Sequence, residues 1–167
     1  MDIRPERPAD ISGIRAVNLG AFETSTEAKL VDTLRRQAEP IVSIVAEDGG
    51  TIVGHVLCSP VTLLPHPELR IFGLAPMAVA PARQRQGIGS ALVREALKQC
   101  VDLGFGAVVV LGHPNYYPRF GFTRASQFGL TCEYEVPDDV FMALELHEHS
   151  LRAKSGRIQY HAAFASA

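Results

Sequence analysis

The chain has 167 residues, 47% of them hydrophobic, and a formal net charge of -2. Length and apolar content suit one core, so the sequence predicts a single domain over 1–167. The slightly acidic balance excludes the basic footprint that nucleic acid or an anionic membrane demands, and no apolar run reaches bilayer length, so a cytoplasmic chain with neither partner is expected.

Ile3-Arg4-Pro5 reads as a short strand, and Pro8-Ala9-Asp10 places a proline and an acid in the first turn of a helix running to about Leu19. Thr24-Ser25-Thr26-Glu27 has the form of a capping box, and Leu30, Val31 and Leu34 carry a second helix to about Gln37. Two β-rich runs follow, Ile41 to Ala46 and Thr51 to Cys58, with Glu47-Asp48-Gly49-Gly50 predicting the turn of a hairpin. His55, inside the second run, reads as a packed and hydrogen-bonded histidine. After the loop Pro65-His66-Pro67-Glu68, Ile71 to Val79 is a mostly buried strand.

That strand runs into Gln84-Arg85-Gln86-Gly87-Ile88-Gly89-Ser90. Ile88, Leu92, Ala96 and Cys100 then recur at helical spacing, with Arg94, Glu95, Lys98, Gln99 and Asp102 on the opposite face. Gly87 and Gly89 allow a tight turn and close approach of a ligand to the backbone, and the first helical turn leaves N–H donors unpaired. Arg83 and Arg85 add positive charge, so the stretch predicts a site for a phosphate-bearing ligand. A nucleotide-hydrolase loop would need Lys-Ser/Thr where Ser90-Ala91 follows the second glycine, and a dinucleotide fingerprint would need a third small residue where Leu92 stands.

Leu103-Gly104-Phe105-Gly106 ends the helix, and the β-branched run Ala107 to Leu111 predicts a buried parallel strand reached by a right-handed crossover. Next comes Gly112-His113-Pro114-Asn115-Tyr116-Tyr117-Pro118-Arg119-Phe120-Gly121-Phe122. The tail predicts a strand around Leu130 to Tyr134, a polar corner at Pro137-Asp138-Asp139, a strand Phe141 to Leu146 and a last β-like piece, Arg157 to His161. Cys58, Cys100 and Cys132 stand too far apart for a Cys-x-x-Cys site and read as core thiols. His147 and His149 share a predicted strand face, but a third ligand at sensible spacing is missing and no metal is expected.

Gln84-x-x-Gly87-x-Gly89, preceded by Met77-Ala78-Val79-x-Pro81 and followed by Ser90-Ala91-Leu92, resembles the acetyl-CoA pyrophosphate loop of the GNAT superfamily of N-acetyltransferases. Tyr117-x-x-x-Gly121-Phe122 resembles that superfamily's second signature, and the two occur in the right order with a strand between them. The resemblance implies an α/β (α+β) fold of the acyl-CoA N-acyltransferase type: a mixed, mostly antiparallel sheet with helices on both faces. It places the cofactor-binding core at about 71–122 and the C-terminal strands at about 130–161, and implies that the strands 71–79 and 107–111 splay apart at their C-terminal ends.

It further implies acetyl-CoA as donor, no metal, and transfer to a primary amine of a small molecule or peptide. No cysteine stands in either signature, so transfer is expected to be direct. On this reading Met77, Ala78 and Val79 hold the pantetheine arm. Gln84, Arg85, Gln86, Gly87, Ile88, Gly89 and Ser90 hold the pyrophosphate, and Asn115 contacts the cofactor. Tyr117 stands at the general-acid position, His113 is the candidate base, and Tyr116, Phe120 and Phe122 are packing aromatics. Gly20 to Glu23 would line the acceptor pocket. Three alternatives stay open: a non-catalytic acyl-CoA-binding or sensor domain, a transferase of another short acyl-CoA, and a homodimer in place of a monomer.

Overall fold

The structure, a computed structural model, describes residues 1–166. Its strands are β1 (Asp2–Pro5), β2 (Val42–Asp48), β3 (Thr51–Leu64), β4 (Ile71–Val79), β5 (Ala107–Leu111), β6 (Thr123–Arg124), β7 (Leu130–Cys132), β8 (Phe141–Glu145) and β9 (Gly156–Gln159). The main path through the sheet is β1-β2-β3-β4-β5-β8-β6, antiparallel at every step except β4 to β5. β9 pairs with the far end of β3 and, in parallel, with β7.

Side chains on opposite faces of the central strands feed two of three cores, the third gathering Val61, Leu63, Ile71, Val109 and Ile158. The helix α3 (Ile88–Asp102) lays Leu92, Val93, Ala96 and Cys100 on one face, against Ile44, Ala46, Val53 and Val56. The helices α1 (Ile11–Ala21) and α2 (Thr26–Gln37) lay Ile14, Leu30, Val31 and Leu34 on the other, against Val45 and Leu57. Each large aliphatic side chain so buried contributes roughly 1.5–3 kcal/mol. The sheet therefore carries helices on both faces, as the sequence implied. Among the described residues no helix is long and apolar enough to cross a membrane.

Three local expectations are corrected. β3 does not stop at Cys58 but runs through Pro60 to Leu64. Pro60 lies between the last pair with β2, at Cys58, and the first pair with β9, at Thr62, where the strand has a neighbour on one side only and tolerates a residue without an N–H. The capping box of α2 does not form: the Thr24 hydroxyl accepts from the Thr26 N–H at 3.3 Å, and Ser25 takes the cap position without a side-chain bond. His147 and His149 share no strand face, because β8 ends at Glu145 and His149 adopts a left-handed φ of 65°.

What positions the site is the parting of β4 from β5. They pair only at Ile71–Ala107, Phe72–Val108 and Gly73–Val109. Beyond Gly73, β4 stays with β3 as far as Val79, while β5 stays with β8 as far as Leu111. An extra residue in β4, between Leu74 and Met77, faces the shorter span Val56 to Cys58 of β3. Such a bulge bends its strand and leaves the ladder locally unpaired.

Candidate active site

The parting opens a cleft of about 580 Å³. Met77 and Val79 form one wall, the loop from Arg83 to Ser90 forms the floor, and His113, Tyr116 and Arg119 form the opposite wall. The loop is held by bonds to β4, to β2 and within itself. The Gln84 side-chain amide donates to the Val79 carbonyl at 3.1 Å, and Arg83 donates to Gln86 at 3.2 Å while pairing with Asp48 at 2.8 Å.

Inside that frame Arg85 and Gly87 take left-handed conformations, with φ of 64° and 83°. The ladder of α3 opens with the Ala91 N–H donating to the Gly87 carbonyl at 3.1 Å, so the amides of Ile88, Gly89 and Ser90 precede it. A Cβ on Gly87 would meet nothing within 4 Å, so the backbone at this point is open to a ligand. These amides, the helix N-terminus and the Arg85 side chain on the lining are groups that could hold a phosphate.

Tyr116 reaches the loop from the far wall. Its hydroxyl lies 3.0 Å from the Ser90 hydroxyl, and a Cβ on Gly89 would stand only 3.3 Å from the same oxygen. Arg119 lies over the Tyr116 ring at 4.4 Å, and its Nε–H donates to the Tyr116 carbonyl at 2.8 Å.

Tyr117, next in the chain, has a buried ring. It is 7% exposed and lies so close over Gly112 that a Cβ there would come within 2.3 Å of the ring. Phe122 and Tyr116 meet it edge-on, with centroids at 5.7 and 5.1 Å. Burial, with a smaller effect of Tyr116, pushes its phenol up to about 12.

Of the residues singled out in the sequence, the cleft brings together Met77, Val79, Gln84, Arg85, Gly87, Ile88, Gly89, Ser90 and His113. Ala78 does not line it: this residue is buried opposite His55, on the sheet face away from α3. Gln86 is exposed and held by Arg83, and Asn115 is exposed; neither these two nor Tyr117 belongs to the lining. Tyr116 and Arg119, read as packing or passed over, do line it. Their spacing of three residues in a tight turn, which stacks a cation on a ring, was the signal available. Among the described residues no cluster of His, Cys, Asp and Glu could hold a metal ion.

A mixed sheet whose two parallel strands part above an amide-lined loop, with the following helix starting in that loop, is an acetyltransferase architecture. The chain belongs to the acetyltransferase (GNAT) family, whose family model matches residues 12–122. It is 37% identical over 165 residues to the protein named uncharacterized N-acetyltransferase YhbS of Escherichia coli (strain K12), with 98% of each chain covered. The crystal structure of YhbS from Escherichia coli in complex with CoA superposes with a TM-score of 0.92 at 36% identity, covering 98% of this chain and 91% of that one. A GNAT family acetyltransferase from Brucella melitensis in complex with acetyl-CoA gives 0.80 at 36% identity, covering 98% and 97%. The GNAT fold implied by the two signatures is the fold observed.

Proposed function

We propose that the chain transfers an acetyl group from acetyl-CoA directly to a primary amine of a small molecule or peptide. The observation that carries this reading is the continuity of the cleft, from the amide-lined loop at the start of α3 to the edge of β4 left unpaired beyond Gly73. A long thioester fits that path, with its phosphates on the loop amides and its acyl end between the parted strands. The CoA and acetyl-CoA in the two relatives support the same donor. Met77 and Val79 line the wall along the pantetheine arm, and a β4 peptide N–H on the unpaired edge donates to the thioester oxygen as negative charge develops there.

In the reaction the amine nitrogen bonds to the carbonyl carbon while the carbon–sulfur bond breaks. His113, exposed on the cleft wall, takes the proton that the attacking amine loses. The proton for the departing sulfur is assigned to Tyr117, which stands at the general-acid position of the second signature; its ring packs behind Tyr116, so the step requires its hydroxyl to reach the thioester end from behind that wall. A phenol pushed up to about 12 stays protonated at any working pH, but it is a weaker acid than a thiol near ~8.5, so its proton moves to sulfur uphill and only as the carbon–sulfur bond breaks. No cysteine lines the cleft, which supports direct transfer over an acyl-cysteine route. The test is free-thiol release from acetyl-CoA across a panel of amines, amino acids and peptides. Amine-dependent release with a matching N-acetyl product is expected, and acetyl-CoA binding without turnover on any amine would leave only a binding domain.

A further inference from the structure

Three arginines line the cleft, and one of them stands apart from the loop that carries the amides. Of the arginines that line it, Arg83 is committed to Asp48 at 2.8 Å and to Gln86. Arg85 belongs to that loop. Arg119 stands across from that loop, on the segment that follows β5. Its guanidinium is oriented twice, by stacking on Tyr116 at 4.4 Å and by the bond from Nε to the Tyr116 carbonyl. Tyr116 is in turn tied to Ser90 in the first turn of α3. Among the described residues the terminal N–H donors of Arg119, an exposed side chain held at Nε and over the Tyr116 ring, have no carboxylate and no other protein acceptor.

A pre-oriented, unpaired guanidinium facing amides that could hold one phosphate is suited to bidentate recognition of a second. Resting on the acetyl-CoA reading above, we propose that Arg119 recognises the 3′-phosphate of the donor and makes the protein select CoA thioesters over 3′-dephospho donors. The chemistry of the donor leads there. Its two anionic groups, the 5′-pyrophosphate and the 3′-phosphate, leave the same ribose in different directions. With the pyrophosphate on the amides of one wall, the monoester dianion branches toward the other wall, and Arg119 is the cation on that wall. Tyr116 acts as a strut, because its bond to Ser90 fixes the distance between the two phosphate sites.

The test is isothermal titration of CoA and of 3′-dephospho-CoA at one fixed ionic strength. Wild type is expected to bind CoA about tenfold or more tightly than dephospho-CoA, the usual size of a charge-assisted hydrogen-bonded contact. Arg119→Gln should lose about tenfold for CoA and less than about twofold for dephospho-CoA, so that discrimination collapses. Arg119→Lys, which keeps the charge and loses the planar fork, should fall between them. Arg85→Gln should weaken both ligands alike. Equal losses for both ligands in Arg119→Gln would overturn the assignment, as would a wild type that binds both equally, a result that needs no variant to fold. If wild type bound neither ligand, the acetyl-CoA reading itself would fail, and the two failures are thereby told apart.

Discussion

The Ser43 hydroxyl lies 2.8 Å from Nε2 of His55, and the pair is wired in the sense opposite to a nucleophile and its base. Ser43 also bonds to the Glu6 carboxylate, which can only accept, so the serine proton points to Glu6 and His55 must donate from Nε2. Nδ1 is then the acceptor facing the Asn18 amide at 3.4 Å, and Asn18 in turn donates to the Ile14 carbonyl at 3.0 Å. Burial alone would raise the Glu6 carboxyl, but the hydrogen bonds from Arg35 and Ser43 outweigh it and hold it below the usual carboxylate range. The chain of bonds joins α1, β2 and β3 around a histidine that is neutral when folded.

Because of this, stability should fall as the solution is acidified well before ordinary carboxylates titrate. Burial lowers His55 to about 4, against a smaller opposing effect of the Glu6 charge. The unfolded chain, with an imidazole near ~6.5, binds more protons than the folded one throughout that window. The contribution is fully present above about pH 6.5, is lost progressively as pH falls toward about 4, and amounts to roughly 3 kcal/mol. Unfolding free energies measured by urea titration over that range should show the slope in wild type and lose it in His55→Gln; an equal slope in both would place the proton uptake elsewhere.

At Gly87 the expected effect is on binding and not on fold. A Cβ there meets no neighbour, but φ of 83° strains any other residue. Gly87→Ala should therefore cost about 1 kcal/mol of stability and weaken acetyl-CoA modestly. Gly87→Glu adds a carboxylate beside the loop amides and should abolish binding while the protein still melts cooperatively. Unchanged affinity in folded Gly87→Glu, read by calorimetry, would remove the loop from the donor site.

Gly112 tests the packing that holds Tyr117. A methyl group at this position would come within 2.3 Å of the Tyr117 ring, which is itself wedged against Phe122 and must move as a body. Gly112→Ala is expected to destabilise by about 1–3 kcal/mol, the usual cost of overpacking, and to lower kcat with little change in donor Kd. A folded variant with wild-type kcat would show that turnover does not depend on where this ring sits.

The tight turn from Gln84 to Ser90 into α3 was legible because glycines that must turn, and a helix that must begin, leave a mark in the residues themselves. The core under α3 was legible for the same reason, as Leu92, Ala96 and Cys100 need only the period of a helix. The second wall of the cleft was not. Tyr116 and Tyr117 are adjacent and chemically identical, and only the tight turn from Tyr117 to Phe120 decides that one faces Ser90 and the other faces Gly112. Nor was the length of β3, since Pro60 reads as a strand breaker unless the gap between β2 and β9 is known. Long-range pairing decides both cases, and local pattern carries no record of it.

The two tyrosines also give the sharpest test of mechanism. Tyr117→Phe keeps the ring on Gly112 and against Phe122 and removes the only proton an acid could supply, so donor Kd should change little while kcat falls about 10²-fold or more. Tyr116→Phe is not a silent control, because it breaks the 3.0 Å bond to Ser90 and loosens the wall on which Arg119 stacks. It should raise donor Kd several-fold and leave kcat at saturation close to wild type. The pair of variants thus separates along different kinetic axes, one in kcat and the other in Kd. A donor thioester with a more acidic leaving thiol should recover much of the rate lost in Tyr117→Phe and none of the affinity lost in Tyr116→Phe, since only the first variant lacks a proton for sulfur. Equal kcat in wild type and Tyr117→Phe, with the chemical step shown to limit turnover, would leave Tyr117 as a structural aromatic and move the search for the acid to the cleft wall that carries Tyr116.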